Sequence, residues 1–374
     1  MQIVAMDADT LTAGGTAPLT FVAKEYLATT KTMNSSNSNA NGWAATTVMK
    51  PYLTNTIMPL IDPSLRMRIQ AVDKTYYDYT TTSTLTSSDK LWIPSAREIF
   101  GEADGYEDSG VMYTGIYSNA NKRKKHSTTS TSNNYWWLRS AYSGNASLFR
   151  RVGNSGSVGS SSAGSAYGVC LGFCLGAATP NVTEITDTWD QIINAIDTNT
   201  YKKYDIGQYK PLDLGTEGTI NMQIVAMDAD ELASGGTAPL TFLSMELFNR
   251  NPYDWGSAYY QYFGTGVENH YLPLIPNNIA ARIPKISKNY LWSDKKTYRT
   301  NKFKLFSPSA SEVGSITSSY VETPGLKYAV FNNNASRVKT LNGEETTWFT
   351  RNQYTSSTHI IVNTDGSVTT ASYA

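Results

Sequence analysis

The chain has 374 residues, enough for two or three domains at roughly 150 residues each. Lysine plus arginine and aspartate plus glutamate stand at 31 each, so the net charge is +0 and no electrostatic case exists for nucleic acid or an anionic membrane. No apolar run is long enough for membrane insertion, and two cysteines give no disulfide framework.

Gln2 to Met6 is β-branched and weakly alternating, which predicts a strand. Gly14-Gly15 marks a turn, and Ala17 to Leu27 predicts a strand leading into a short helix. Asn34 to Asn41 is a Ser/Asn-rich loop. Within Trp43–Ile57, Val48, Met49, Tyr52, Leu53 and Ile57 fall at helical spacing, with Pro51 predicting a kink or a later start. Pro63-Ser64 opens a second helix, with Leu65, Ile69 and Val72 on one face. Tyr76 to Ser88 is expected as an exposed strand or loop, Leu91 to Ser95 as a strand into a turn, and Ala96 to Phe100 as a short helical turn. Tyr135 to Ser140 predicts a strand, followed by Ser/Gly-rich hairpins and a closing strand, Gly168 to Leu175. Cys170 and Cys174, four apart on that strand, lie about 13 Å apart. That is beyond disulfide reach, so both are expected as buried small apolar groups. Thr188 to Ile196 predicts a helix; Ile206-Gly207 and Leu212 to Leu214 predict short strands.

The chain repeats itself. Met1 to Asp9 returns letter for letter as Met222 to Asp230, and Gly14 to Phe21 as Gly235 to Phe242. Two tandem copies follow: 1–178, a segment 179–221 that feeds the second copy as linker and N-terminal strands, and 222–374. Pro94-Ser95-Ala96 matches Pro308-Ser309-Ala310, Tyr113 and Arg123 match Tyr328 and Arg337, and Gly156-Ser-Val158 matches Gly366-Ser-Val368. Copy two reaches Ala374 before any equivalent of the closing strand, so that strand is expected either from a longer chain or from elsewhere.

Tyr135-Trp-Trp-Leu-Arg-Ser140, Val152-Gly-Asn-Ser-Gly-Ser-Val158 and the Gly168-Val-Cys-Leu-Gly-Phe173 run resemble an uncharacterised bacterial and phage domain family, as do Met1–Asp7 and Leu91–Glu98. Such domains occur in phage structural proteins and in surface proteins of gut Firmicutes. Their closing strands are similar to the C-type-lectin fold of sulfatase-modifying enzymes and of variable receptor-binding proteins of diversity-generating retroelements. The resemblance implies an α+β fold, a tandem C-type-lectin-like duplication that is β-rich with two short helices per copy. It also implies ligand binding, names no ligand, and fits a virion or cell-surface location. No secretory signal is visible at Met1, as expected of a virion protein released by lysis. Copy two departs at Trp348-Phe-Thr-Arg-Asn352.

Trp136, Arg139 and Glu98, with Trp348, Arg351 and Glu312, recur in both copies and are expected to be structural, Arg139 pairing with Glu98 and Arg351 with Glu312. Asp7 and Asp9 offer too few carboxylates for calcium and are expected to cap a turn. Lys122 to His126 is expected as a solvated basic loop, with an anionic-glycan or teichoic-acid patch as the alternative. The hairpins Tyr142–Tyr167 are the candidate ligand face, with Tyr142, Asn145, Phe149, Arg150, Asn154 and Tyr167 as contacts. Their composition also suits adenine-directed mutagenesis of Asn codons. Copy two adds a loop with Tyr253, Trp255, Tyr259, Tyr260, Tyr262 and Phe263, suited to stacking on sugars, to a protein partner or to subunit packing. His126, His270 and His359 do not align between copies, and no nucleophile triad, zinc spacing or phosphate loop is present. The reading is non-enzymatic and without cofactor or metal. It is a binder of a host glycan or protein receptor, alongside other virion or surface proteins and in a possible homo-oligomer. A purely structural component whose aromatic loops mediate subunit packing is the alternative.

Overall fold

Short β-branched and aromatic runs are cut at close intervals by Gly, Asn, Asp and Ser, and short antiparallel strands result. The computed structural model describes residues 1–101, 110–247, 267–291, 298–314, 327–355 and 358–372. The described chain is α+β and β-rich, with few short helices and several small antiparallel sheets. It divides into two units, Met1–Ala177 and Ala178–Ala374.

The first unit carries β1 (Gln2–Met6), β2 (Leu19–Val22), β3 (Ile69–Gln70), β4 (Val72–Asp78), β5 (Ser83–Asp89), β6 (Trp136–Ala141), β7 (Leu148–Val152), β8 (Val158–Ser162) and β9 (Gly172–Leu175). They form a sheet in the order β1-β2-β9-β3, a β4-β5 hairpin and a sheet β6-β7-β8. β9 lies between β2 and β3, with Thr20 opposite Cys174, Phe21 opposite Phe173 and Ile69 opposite Leu175. β6 is buried along its whole length, so Trp136 and Trp137 both belong to one core with Trp43 and Trp92. Cys170 and Cys174 are free and buried.

Several local expectations change. The helix predicted across Trp43–Ile57 starts at Met49: α1 (Met49–Pro51) puts proline in its first turn, where no N–H is lost, and runs on as a π-helical Tyr52–Ile57. The helix from Pro63 is one turn, α2 (Pro63–Arg66); Ile69 leaves it to pair with Leu175 and Val72 to open β4, so strand pairing overrides the helical spacing. After β2 no helix forms, because Ala23 and Leu27 donate their N–H groups to Leu171 and Val169. Tyr76–Ser88 belongs to the β4-β5 hairpin, with Tyr76 buried. The capped helix α3 (Ala96–Phe100) forms with a Ser95–Glu98 capping box, and α4 (Thr114–Tyr117) and α5 (Ala120–Arg123) bring the first unit above two helices.

In the second unit residues 179–221 supply α6 (Trp189–Asp197), capped by Thr188 and Gln191, and β10 (Tyr209–Asp213). β11 (Thr219–Met227) and β12 (Leu240–Ser244) complete a sheet β10-β11-β12. Hairpins β13 (Ile286–Leu291) with β14 (Tyr298–Phe303) and β15 (Thr340–Leu341) with β16 (Glu344–Glu345) follow. β17 (Trp348–Thr355), β18 (Thr358–Val362) and β19 (Val368–Ser372) form the last sheet. The copies agree in detail. Both place a register shift between equivalent residues, Ile3/Ala5 and Ile224/Ala226, and both turn next through a left-handed Asp, Asp7 at φ 48° and Asp228 at φ 50°.

Gly156 recurs as Gly366 for a steric reason. Its φ is +81°, and a Cβ there would lie 2.1 Å from the Ala120 carbonyl oxygen; at Gly366 it would lie 1.8 Å from that of Asn334. Gly156→Ala is expected to destabilise the first unit by about 1–3 kcal/mol, from the left-handed backbone plus overpacking. Thermal unfolding checks this, and Gly14→Ala, which meets nothing within 4 Å, is the control for backbone strain alone.

Candidate functional site

Each unit encloses a charge network built from the same five residue types. In the first, Lys74 Nζ lies 2.5 Å from Asp9 Oδ1 and 3.0 Å from Glu98 Oε1. Arg139 meets Glu98 in a fork, Nη1 to Oε2 at 2.6 Å and Nη2 to Oε1 at 3.0 Å. Lys74 also donates to the Tyr113 hydroxyl at 2.8 Å, which donates in turn towards Asp9 Oδ1 at 3.2 Å. Thr20 Oγ1 donates to Asp9 Oδ2 at 2.5 Å, and Lys74 Nζ sits 3.7 Å above the Trp92 ring. All four charged side chains are buried, and two acids offset two bases. The second unit repeats this with Asp230, Lys288, Glu312, Tyr328 and Arg351. Thr241 donates to Asp230, and Phe306 stands under Lys288 at 4.2 Å.

Asp9 is therefore an ion-pair residue and not a turn cap, and its equivalent Asp230 pairs in the same way; Asp9, past the end of β1, meets Lys74 of β4 from far along the sequence. Burial raises the Glu98 carboxyl, but Arg139 and Lys74 outweigh it and hold the group at about 2. Glu312 is held at about 2 by Arg351 and Lys288 against the same burial. Burial, then Glu98 and Asp9, push the Tyr113 phenol well up, so it stays a neutral donor. Burial pushes the Cys174 thiol up to about 12, which keeps it unreactive.

These shifts fix the acid limb of stability. A carboxyl at about 2 when folded, against an ordinary 4.5, stabilises the fold above 4.5 and loses that contribution as pH falls towards 2. His359 is buried and lowered to about 3 from 6.5, so the unfolded chain takes up its proton first. The second unit is expected to lose stability between pH 6.5 and 3 through this group. Urea midpoints at pH 7, 5 and 3 check it: His359→Gln should flatten the pH 7 to 5 step and leave the carboxylate step below 4.5.

The basic run is scaffold only in part: Lys122 is exposed, whereas Arg123 and Lys125 are bonded into the fold. Lys125 is buried, its Nζ donating to Ala23 O at 2.5 Å and lying over the Trp136 ring, 5.6 Å from its centre. Arg123 Nε donates to Gly156 O at 2.8 Å, and Trp136 Nε1 to Arg123 O at 3.0 Å. Copy two repeats the indole bond, Trp348 Nε1 to Arg337 O at 3.0 Å, and Lys339 Nζ donates to Ser244 O.

The candidate ligand face divides. Asn145 and Asn154 are exposed at hairpin turns, and Tyr142 and Tyr167 are half-buried. Phe149 is fully buried in the core, so it contacts no surface ligand. Arg150 is also buried, stacked 4.3 Å from the Tyr142 ring with Nη1 on Ser160 Oγ at 3.0 Å, so it supports the face from beneath. Two residues missed in the sequence complete the face. Arg151 lies 3.9 Å over the Tyr135 ring, and Tyr135 and Tyr167 meet edge to face at 5.4 Å. Their signal was the hairpin register, Arg151 opposite Gly159, which a composition reading does not carry. The turn Tyr142–Leu148 hangs on one side chain: Asn39 Nδ2 donates to the carbonyls of Tyr142, Asn145 and Leu148 at 3.1, 2.9 and 2.7 Å.

Tyr253, Trp255, Tyr259, Tyr260, Tyr262 and Phe263 lie outside the described residues. Among the described residues no three His, Cys, Asp or Glu side chains converge as a metal site, and no helix is long and apolar enough to cross a membrane. Neither the curated proteins nor the solved structures contain a match. A family model, the domain of unknown function DUF6273, matches residues 19–177 and again 242–374, together well over half the chain. The chain therefore belongs to the DUF6273 family.

Proposed function

We propose that the chain is a non-enzymatic binding protein of a phage virion, in a tail or fibre, or of a bacterial surface. In this reading two C-type-lectin-like domains in tandem present Ser/Asn/Gly/Tyr hairpins to a host glycan or protein receptor. One observation carries it. The ion-paired groups Asp9, Lys74, Glu98 and Arg139 and their equivalents Asp230, Lys288, Glu312 and Arg351 are buried or nearly so in both copies, whereas the hairpin strand diverges: half-buried Arg151 of β7 stands where β18 has Ile361. A constant interior under a changing hairpin suits recognition. The surface that remains, Asn145, Asn154, Tyr142, Tyr167, Tyr135 and Arg151, offers amide, guanidinium and aromatic contacts suited to a sugar or a polar protein patch.

The test is binding of labelled protein to gut Firmicutes cells and to a glycan array, with and without EDTA. Saturable binding that survives EDTA and falls at least tenfold in Asn145→Lys with Asn154→Lys is the expected result. No binding by a folded sample transfers the proposal to the structural role, in which aromatic loops mediate subunit packing.

A further inference from the structure

One cation of the first unit is held in place but left half used. Arg151 of β7 lies between Trp137 of β6 and Gly159 of β8. Its Nε donates to Ser161 Oγ at 2.7 Å, and its guanidinium stands 3.9 Å from the centre of the Tyr135 ring and 5.8 Å from that of Tyr167. Tyr167 is itself set edge-on against the buried Trp137 at 4.9 Å. A hydrogen bond and two rings therefore fix the guanidinium. Gly159 gives it room, because a Cβ there would come 3.2 Å from Nη1 and 3.3 Å from Cζ. Among the described residues no carboxylate pairs with Arg151, and neither Nη donates to the protein. Arg139 is the contrast: both of its Nη atoms are engaged by Glu98, and it is buried where Arg151 is only half-buried.

The second unit lacks this arrangement as a set. Its sheet β17-β18-β19 keeps the register, with Ile361 opposite Phe349 and Thr369. Trp348, Val362, Gly366 and Val368 repeat Trp136, Val152, Gly156 and Val158. Thr347 nevertheless stands for Tyr135, Ile361 for Arg151, Thr369 for Gly159 and Ala371 for Ser161. Ring, guanidinium, clearance and hydrogen-bond partner differ together, while the frame around them stays. The sheet therefore forms without the arginine, and the buried Ile361 shows what a purely structural residue at this position looks like.

We propose that Arg151, Tyr135 and Tyr167 form a subsite for a sugar that carries a carboxylate. This rests on the receptor reading above and gives its ligand class, an acidic glycan bound by the first unit alone. The two Nη atoms hold the carboxylate through parallel hydrogen bonds, the geometry for which a guanidinium fork is shaped. The tyrosine rings pack on the apolar face of the same sugar ring. One unpaired guanidinium supplies one positive charge, which a single carboxylate neutralises. A carboxylate borne directly on a pyranose also brings a rigid ring within reach of the tyrosines, which a flexible phosphodiester chain does not.

The probes are oligosaccharides of galacturonate, of glucuronate and of sialic acid, each with its neutral methyl ester, titrated into the full chain by calorimetry. At least one acid is expected to bind saturably, one to one, and at least tenfold more tightly than its ester. Arg151→Ile, which installs the residue of the second unit, should keep the melting temperature and weaken that binding at least tenfold. Arg151→Lys keeps the charge without the fork and should recover little of it. No saturable binding of any acid, equal binding of acid and ester, or full binding by either variant overturns the proposal. Tighter binding of a glycerol phosphate oligomer than of every acidic sugar overturns it too. Arg151→Ile also enters the cell-binding assay. Undiminished cell binding by that variant removes the subsite and leaves the receptor reading standing, whereas absent cell binding by the unaltered chain removes both.

Discussion

Glu98→Ala is expected to destabilise the first unit by about 3–5 kcal/mol, because it leaves Lys74 and Arg139 buried beside a single carboxylate. Glu98 is also the N3 residue of the α3 capping box, accepting from Ser95 N at 2.8 Å, so the helix start loosens with it. Glu312→Ala should do the same in the second unit, whose network repeats every member. Arg139→Ala should cost a comparable amount; an unchanged melting temperature there would remove the network from the account of stability. A further arm separates attraction from desolvation. Replacing Asp9, Lys74, Glu98 and Arg139 together by apolar residues of similar size should cost far less than the single change, since no charge is then stranded.

Trp136→Ala is expected to cost a similar amount, about 3–5 kcal/mol, through the cavity left in a core where Trp136, Trp137 and Phe149 are all fully buried. The change also strips the Arg123 carbonyl of the indole donor at 3.0 Å. Trp136→Phe keeps most of the volume and loses the bond, so it should cost about 1–2 kcal/mol. The gap between the two variants in denaturant unfolding measures the packing part. Equal losses would mean that the hydrogen bond, and not the volume, holds α5 to β6.

Much of the scaffold could be read from the chain because it is written twice. Glu98 and Arg139, with Glu312 and Arg351, pair as their recurrence implied. Lys74 and Tyr113 also recur, but they complete the network across separations of 65 residues to Asp9 and 39 to one another. Local periodicity carries no information over such distances. Lys125 misled because a lysine in a basic run reads as solvated, whereas its ammonium lies over the Trp136 ring and caps the end of β2. Phe149 misled for the opposite reason: the composition of the surrounding hairpins is polar, whereas Phe149 packs in the core. The local errors at Pro63–Val72 came from Ile69 and Val72, which complete a helical face with Leu65 and also fit two strands.

Asn39 has a consequence for what this hairpin can become. One buried amide grips three carbonyls of the Tyr142–Leu148 turn, and its own backbone N–H bonds to Ala146 O at 2.7 Å. The path of the turn is thus dictated from outside it, by main-chain atoms that every amino acid possesses. Ser143 and Ala146 can be exchanged as cargo on a fixed hook, whereas Asn145 also holds Ser147 through its Oδ1 and a Cβ at Gly144 would press on the Tyr142 ring. A combinatorial library at Ser143 and Ala146 should yield mostly folded members, and Asn39→Ala should turn the same library into a collection of floppy ones.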